Sequence, residues 1–139
     1  MTETDGQEPL SELLMRSARA MRRRWSDSLA PWDLSPHQAR ALRVVRRHES
    51  ARMGTIAAHL RIAPRSVTEV LDGLEERGLV RRVPDPTDRR AVLVELTDAG
   101  LSLLAEVDAA RDGESATYLS VLSVRDRAHL ARLLRKLDP

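Results

Sequence analysis

The chain of 139 residues carries 23 basic against 21 acidic side chains, no cysteine, no phenylalanine, two tryptophans and one tyrosine. Such a length fits one domain with an aliphatic core, and the missing cysteines exclude a disulfide framework, a cysteine-ligated zinc site and thiol redox sensing. No apolar run is long enough to span a bilayer and no signal peptide is recognisable, so the expected compartment is the cytoplasm and no membrane partner is expected.

The net charge of +2 says little by itself, but residues 40–90 hold 12 arginines against 7 acidic residues, while the flanking segments are slightly acidic. Lys136 is the sole lysine. Arginine suits bidentate contact with phosphate and guanine.

From Pro9 onward, Leu10, Leu13, Leu14, Ala18, Met21 and Trp25 keep a helical spacing, with Arg16, Arg19, Arg22, Arg23 and Arg24 largely elsewhere on the circumference. Ser35-Pro36-His37-Gln38 reads as a capping box, with Leu34 and Ala39 placed as a hydrophobic staple and Ala41, Leu42 and Val45 continuing the helix. Gly54 to Leu60 reads as a short helix with Ile56, Ala57 and Leu60 on one side, followed by the turn Arg61-Ile62-Ala63.

Pro64 suits the first position of the next helix, where its missing N–H is no loss. Val67, Val70, Leu71 and Leu74 form its buried stripe, and Gly78 marks its exit. The exposed face is graded. Arg65, Ser66 and Thr68 lie near the start, whereas Asp72, Glu75 and Glu76 occupy the far end. Only the N-terminal end can approach phosphates without Coulomb repulsion, and there the free N–H groups and the helix dipole favour anions.

Leu79 to Val83 and Ala91 to Leu96 read as two strands, the second with Val92, Val94 and Leu96 on a mostly buried face. Between them Asp85-Pro86 sets a turn and Arg89-Arg90 occupies the tip. Thr97 then caps a helix lined by Leu101, Leu104, Ala105 and Val107, and Gly113 argues against an unbroken run to Leu119. Ser123-Val124-Arg125-Asp126 opens a final helix striped by Leu130, Leu133, Leu134 and Leu137.

Catalysis has little support. His37, His48, His59 and His129 lack metal-ligand spacing, and neither a phosphate-binding glycine loop nor a Gly-x-Ser-x-Gly elbow occurs. No catalytic residue, metal or cofactor is expected. Two helices followed by a basic-tipped hairpin are what a winged helix-turn-helix needs to touch a duplex at two places.

Leu34-Ser35-Pro36-His37-Gln38, Val67-Thr68, Leu74-Glu75-Glu76-Arg77-Gly78-Leu79-Val80, Asp85-Pro86-Thr87-Asp88-Arg89-Arg90 and Leu96-Thr97-Asp98-Ala99-Gly100 together resemble the MarR (multiple antibiotic resistance regulator) family of winged-helix transcription factors. The wing motif at its spacing from the helix exit is the specific part. Two departures matter: Glu69 stands where the family often has a basic or neutral polar residue, and the chain has no cysteine.

The resemblance implies a mainly α fold with a small β-hairpin wing, in which residues 34–97 form the DNA-binding lobe and residues 9–33 and 98–139 the dimerisation helices. It implies a homodimeric repressor on a palindromic operator in double-stranded DNA, released by a small aromatic or anionic ligand. Pro64, Arg65, Ser66 and Thr68 would serve the recognition helix, and Arg89 and Arg90 the wing, with Asp88 orienting an arginine. Trp25, Trp32 and His37 fall where the family binds its ligand. A winged-helix module that binds protein, or a DNA-binding protein that ignores ligands, is the alternative.

Overall fold

The computed structural model describes residues 8–138. In chain order these form α1 (Leu10–Asp27), a 3-10 turn (Ala30–Trp32), α2 (Pro36–His48), β1 (Ser50–Arg52), α3 (Met53–Leu60), α4 (Pro64–Glu76), β2 (Val80–Pro84), β3 (Val92–Leu96), α5 (Asp98–Leu119) and α6 (Val124–Leu137). Two compact units result, one of residues 29–109 and one of the chain ends on either side of them, with α5 contributing to both.

The first unit is a winged helix. Its core gathers Ala41, Leu42 and Val45 of α2, Ile56 and Leu60 of α3, Val67, Leu71 and Leu74 of α4, and Val94 of β3, all essentially inaccessible to water. Leu34, at the start of the 34–97 segment, belongs to the same core, and Leu29 joins it from before that segment and Leu104 and Val107 from after it. Each fully buried aliphatic side chain contributes roughly 1.5–3 kcal/mol of transfer free energy, so these stripes fix which face each helix turns inward.

The helix ends follow their sequence signals. At the start of α2 the Gln38 N–H donates to Ser35 Oγ at 3.1 Å, and the Ser35 N–H donates to Gln38 Oε1 at 3.0 Å. Both staple positions, Leu34 and Ala39, are buried. After α4, Gly78 takes φ +70°. Its N–H donates to the Glu75 carbonyl, and the Leu79 N–H donates to the Leu74 carbonyl, each at 2.9 Å. This paired closure needs a left-handed residue at position 78, which glycine adopts without a Cβ penalty.

The sheet has three strands, not two, in the order β1-β3-β2, all antiparallel. Sequence reading misses β1 because Ser50-Ala51-Arg52 lacks β-branched and aromatic side chains; pairing with Leu93–Glu95, not propensity, holds it extended. A second correction concerns Val92, expected on the buried face with Val94 and Leu96. It is 41% exposed, because it pairs with the exposed Pro84 on the last rung of the wing.

Thr97 ties the exit of α4 to the start of α5: its hydroxyl donates to the Gly78 carbonyl at 2.6 Å and accepts the Gly100 N–H at 3.0 Å. Gly113 does not break α5, which runs unbroken from Asp98 to Leu119.

In the second unit, α1 and α6 contain no buried residue. Their apolar stripes face outward in the single chain, with Leu13, Leu14, Leu130, Leu133 and Leu134 each more than a third exposed. Ser123 caps α6, accepting the Asp126 N–H at 3.1 Å.

Candidate nucleic-acid interface

The twelve arginines between residues 40 and 90 divide by what holds them. Arg40 donates to the His59 carbonyl, Arg43 and Arg46 share Asp108, and Arg77 donates to the carbonyls of Trp32 and Asp33. Arg52 binds Asp85, Arg81 pairs with Glu95, and Arg82 pairs with Asp72 at 2.5 Å and Glu75 at 3.6 Å. Among the described residues no internal partner is found for Arg47, Arg61, Arg65, Arg89 or Arg90, all exposed. A cation without an internal partner keeps its full capacity for an external anion.

Three of those five are residues singled out from the sequence. Arg65 stands in the first turn of α4, beside Pro64 at the first helical position. Ala63 gives that turn no side-chain cap; Pro64 has no N–H and the Ser66 N–H donates to the Ala63 carbonyl at 2.9 Å, so the Arg65 N–H is the one in this turn left open to an acceptor from outside. Ser66 is half-buried and Thr68 exposed. The Thr68 hydroxyl donates back to the Pro64 carbonyl at 3.2 Å, which leaves its oxygen free to accept, not to donate.

The far end of α4 is less acidic in effect than its sequence. Arg82 of β2 lies against Asp72 and Glu75, cancelling part of their charge. Such exposed pairs are worth at most about 1 kcal/mol in stability, but they alter the local field. Glu69 and Glu76 remain exposed on the helix.

The wing loop is built without glycine or a positive φ. Asp85, 6% exposed, accepts the Thr87 N–H and hydroxyl through Oδ1, each at 2.8 Å. Its Oδ2 accepts Arg52 Nε at 3.1 Å and Nη2 at 2.6 Å. These bonds hold the carboxyl at a pKa of about 2, the Thr87 amide being the strongest influence and its hydroxyl next; desolvation opposes them and Arg52 adds to them. Farther along, the Asp85 N–H donates to the Ala91 carbonyl and the Ala91 N–H to the Asp88 carbonyl. Asp88 Oδ1 accepts the Arg90 backbone N–H at 3.0 Å, and among the described residues no guanidinium bonds to its carboxylate. The result is a closed loop with Arg89 and Arg90 at its tip.

Sequence reading missed Arg52, Arg47 and Arg61. Arg61, left-handed at φ 54°, ends α3 at the turn before α4; an arginine in the turn of a helix-turn-helix was the available signal.

The three ligand candidates fall in different places. Trp25 is in the second unit, where its indole N–H donates to Ser115 Oγ at 2.8 Å and the Arg111 guanidinium lies 3.9 Å from its ring centre. Trp32 is in the first unit, packed against the core, with its indole N–H donating to Glu106 at 3.1 Å. His37 is exposed on the first turn of α2. A surface cavity of about 570 Å³ in the second unit, lined by Arg23, Arg24, Glu114 and Tyr118 among others, includes none of the three.

The MarR family pattern matches residues 34–92. Over 111 residues the chain is 32% identical to the HTH-type transcriptional repressor MdtR of Bacillus subtilis, covering 80% of this chain and 72% of that one. The chain belongs to the MarR family. Among solved structures, wild-type MarR from E. coli in its apo form superposes with a TM-score of 0.89 at 26% identity, covering 97% of this chain and all of that one. A MarR mutant from E. coli complexed with operator DNA superposes with a TM-score of 0.74 at 26% identity, covering 94% of each chain. Membership of the MarR family matches the winged helix of residues 29–109, and no helix among the described residues is long and apolar enough to cross a membrane.

Proposed function

We propose that this MarR-family protein is a cytoplasmic, sequence-specific regulator of transcription that binds double-stranded DNA as a homodimer and represses by occupying a palindromic operator. The observation that carries this reading is the distribution of arginines without internal partners. Four of the five stand on the first turn of α4, in the turn before it and at the wing tip, and the fifth, Arg47, in the last turn of α2, while the other seven arginines between residues 40 and 90 are tied to carboxylates or carbonyls.

In this mechanism the N-terminal turn of α4 enters a major groove. Arg65 presents two parallel donors to the O6 and N7 of a guanine, and Ser66 and Thr68 meet base edges or sugar-phosphate. Thr68, its proton engaged by Pro64, accepts from a base amino group. Arg89 and Arg90 reach the neighbouring minor groove, where a narrow A·T-rich stretch concentrates negative potential. Two copies joined through the leucine stripes of α1 and α6 place two such readers on one duplex, which requires a two-fold operator.

Release by a small aromatic or anionic molecule belongs to the same reading, with Trp25, Trp32 and His37 as its candidate contacts. Saturable quenching of tryptophan fluorescence by benzoate supports an effector site; a strictly linear response removes it.

The test is affinity against salt, on a duplex of random sequence, for wild type and the Arg89→Ala, Arg90→Ala double variant. Wild type should lose affinity steeply with salt, and the variant should bind more weakly with a log–log slope shallower by about 0.9 for each phosphate contact removed. Salt-independent or absent binding by wild type would favour the protein-binding module. Identical slopes and affinities would remove the wing from the interface.

A further inference from the structure

Among the described residues Asp85 is the one charged side chain that is buried. Its two oxygens serve different masters. Oδ1 bonds within the loop, to the amide and hydroxyl of Thr87, and gives the loop its shape. Oδ2 bonds outside the loop, to Arg52, which lies 33 residues earlier in the chain on β1.

The sheet makes this reach possible. Arg52 is opposite Leu93, and Leu93 is opposite Val83, so the three side chains share a face of the sheet. Asp85 lies two residues past Val83, at the same parity. β1 and β2 are separated by β3, which puts them roughly 10 Å apart at normal strand spacing. A long side chain with two donors in a fixed fork can cross that distance and still grip one oxygen twice; an ammonium offers a single point charge.

We propose that Arg52 is the positioning residue of the wing, anchoring loop 85–90 to the edge strand through Asp85 so that Arg89 and Arg90 meet DNA in one fixed presentation. This rests on the reading that the wing touches DNA. Arg89 and Arg90 have no internal partner of their own among the described residues, so their placement depends on the loop backbone. That backbone is attached to β2 and β3 at its ends and, through Asp85, to β1. Without Arg52 the carboxylate loses its cation, so its bonds to Thr87 open more often and the loop loses its fixed angle to the sheet.

The Arg52 side chain is about half exposed, so a direct phosphate contact is the competing explanation for any effect of removing it. Three substitutions separate the two. Asp85→Asn deletes a negative charge beside the wing; bare electrostatics would tighten DNA binding, whereas loss of the anchor weakens it. Arg52→Lys keeps the charge a phosphate needs but not the fork, so a phosphate contact would survive it and the anchor would not. Arg52→Gln should weaken duplex binding on the order of tenfold alone, yet change it less than about twofold when Arg89 and Arg90 are already alanine, because its effect passes through them.

Duplex affinity for these variants should be measured together with amide hydrogen exchange of the free protein. Asp85→Asn and Arg52→Lys should bind more weakly, the cycle should be non-additive, and exchange should be faster at Thr87 and Arg90 with core amides of α2 and α4 unchanged. Binding that stays at wild-type strength in Arg52→Lys, or tightens in Asp85→Asn, would overturn the proposal, as would additive losses. If the alanine double variant binds like wild type, the wing-contact reading fails instead, and unchanged exchange at Thr87 in Arg52→Gln would separately dispose of the anchor.

Discussion

Asp85 carries more hydrogen bonds than any other carboxylate of the wing, and its ionisation is part of how the loop is held. Its pKa falls from the ordinary 3.8 to about 2, first through the Thr87 amide. A carboxyl whose folded pKa is depressed stabilises the folded state above its unfolded pKa, and that stabilisation is lost as pH falls through the folded value. Wild type should therefore exceed Asp85→Asn in stability above about pH 4, with the difference shrinking towards about pH 2. Urea midpoints for both proteins across that range give the measurement; a difference that does not change with pH would mean the charge is not what holds the loop. At this scale the sequence was partly legible. Pro64, Ser35 and Gly78 each obey a rule that acts within a few residues, and each sits where that rule puts it. Arg52 and Asp85 were not paired in the reading because nothing local marks an ion pair between residues 33 apart.

Among the elements, α4 and α2 were readable because an apolar stripe and a capping signal agreed in each, whereas β1 has neither. Its three residues become a strand only when β3 is present to pair with them. Gly113 misled for the opposite reason: its helix penalty of roughly 1 kcal/mol is small beside the packing of a long helix. Gly100 is the glycine that α5 cannot replace. A Cβ there would lie 2.1 Å from the Leu79 carbonyl oxygen, a backbone atom with no freedom to turn aside. Gly100→Ala should destabilise the protein by about 3 kcal/mol through this overpacking, while Gly113→Ala, which meets nothing within 4 Å, should be neutral or stabilising by up to about 1 kcal/mol. Chemical denaturation of the two variants decides it, and equal effects would contradict the close approach of α5 to the start of β2.

For the whole molecule, the exposed leucines of α1 and α6 are the feature that a single chain leaves unexplained. An apolar surface of this extent is covered in a stable soluble protein, and the second copy proposed here covers it. Sedimentation at micromolar concentration should give about twice the chain mass, and removal of residues 123–139 should abolish the dimer; a folded, DNA-competent monomer would refute that architecture. The family was legible because the wing motif follows the exit of the graded helix at a specific spacing in the sequence. The ligand candidates were less legible: Trp25 and Trp32 bond internally through their indole N–H groups, and an aromatic residue looks the same in sequence whether it packs or binds.

The central claim is sequence-specific reading of DNA by a two-fold dimer, and the most direct test is unbiased selection of bound duplexes from a random pool, with wild type and Arg65→Ala in parallel. Wild type should enrich an inverted repeat with half-sites about one helical turn apart. Arg65→Ala should lose preference at a guanine in each half-site, at a cost on the order of 1–3 kcal/mol per contact. No enrichment by wild type, or a single asymmetric site with unchanged preference in Arg65→Ala, would contradict the account.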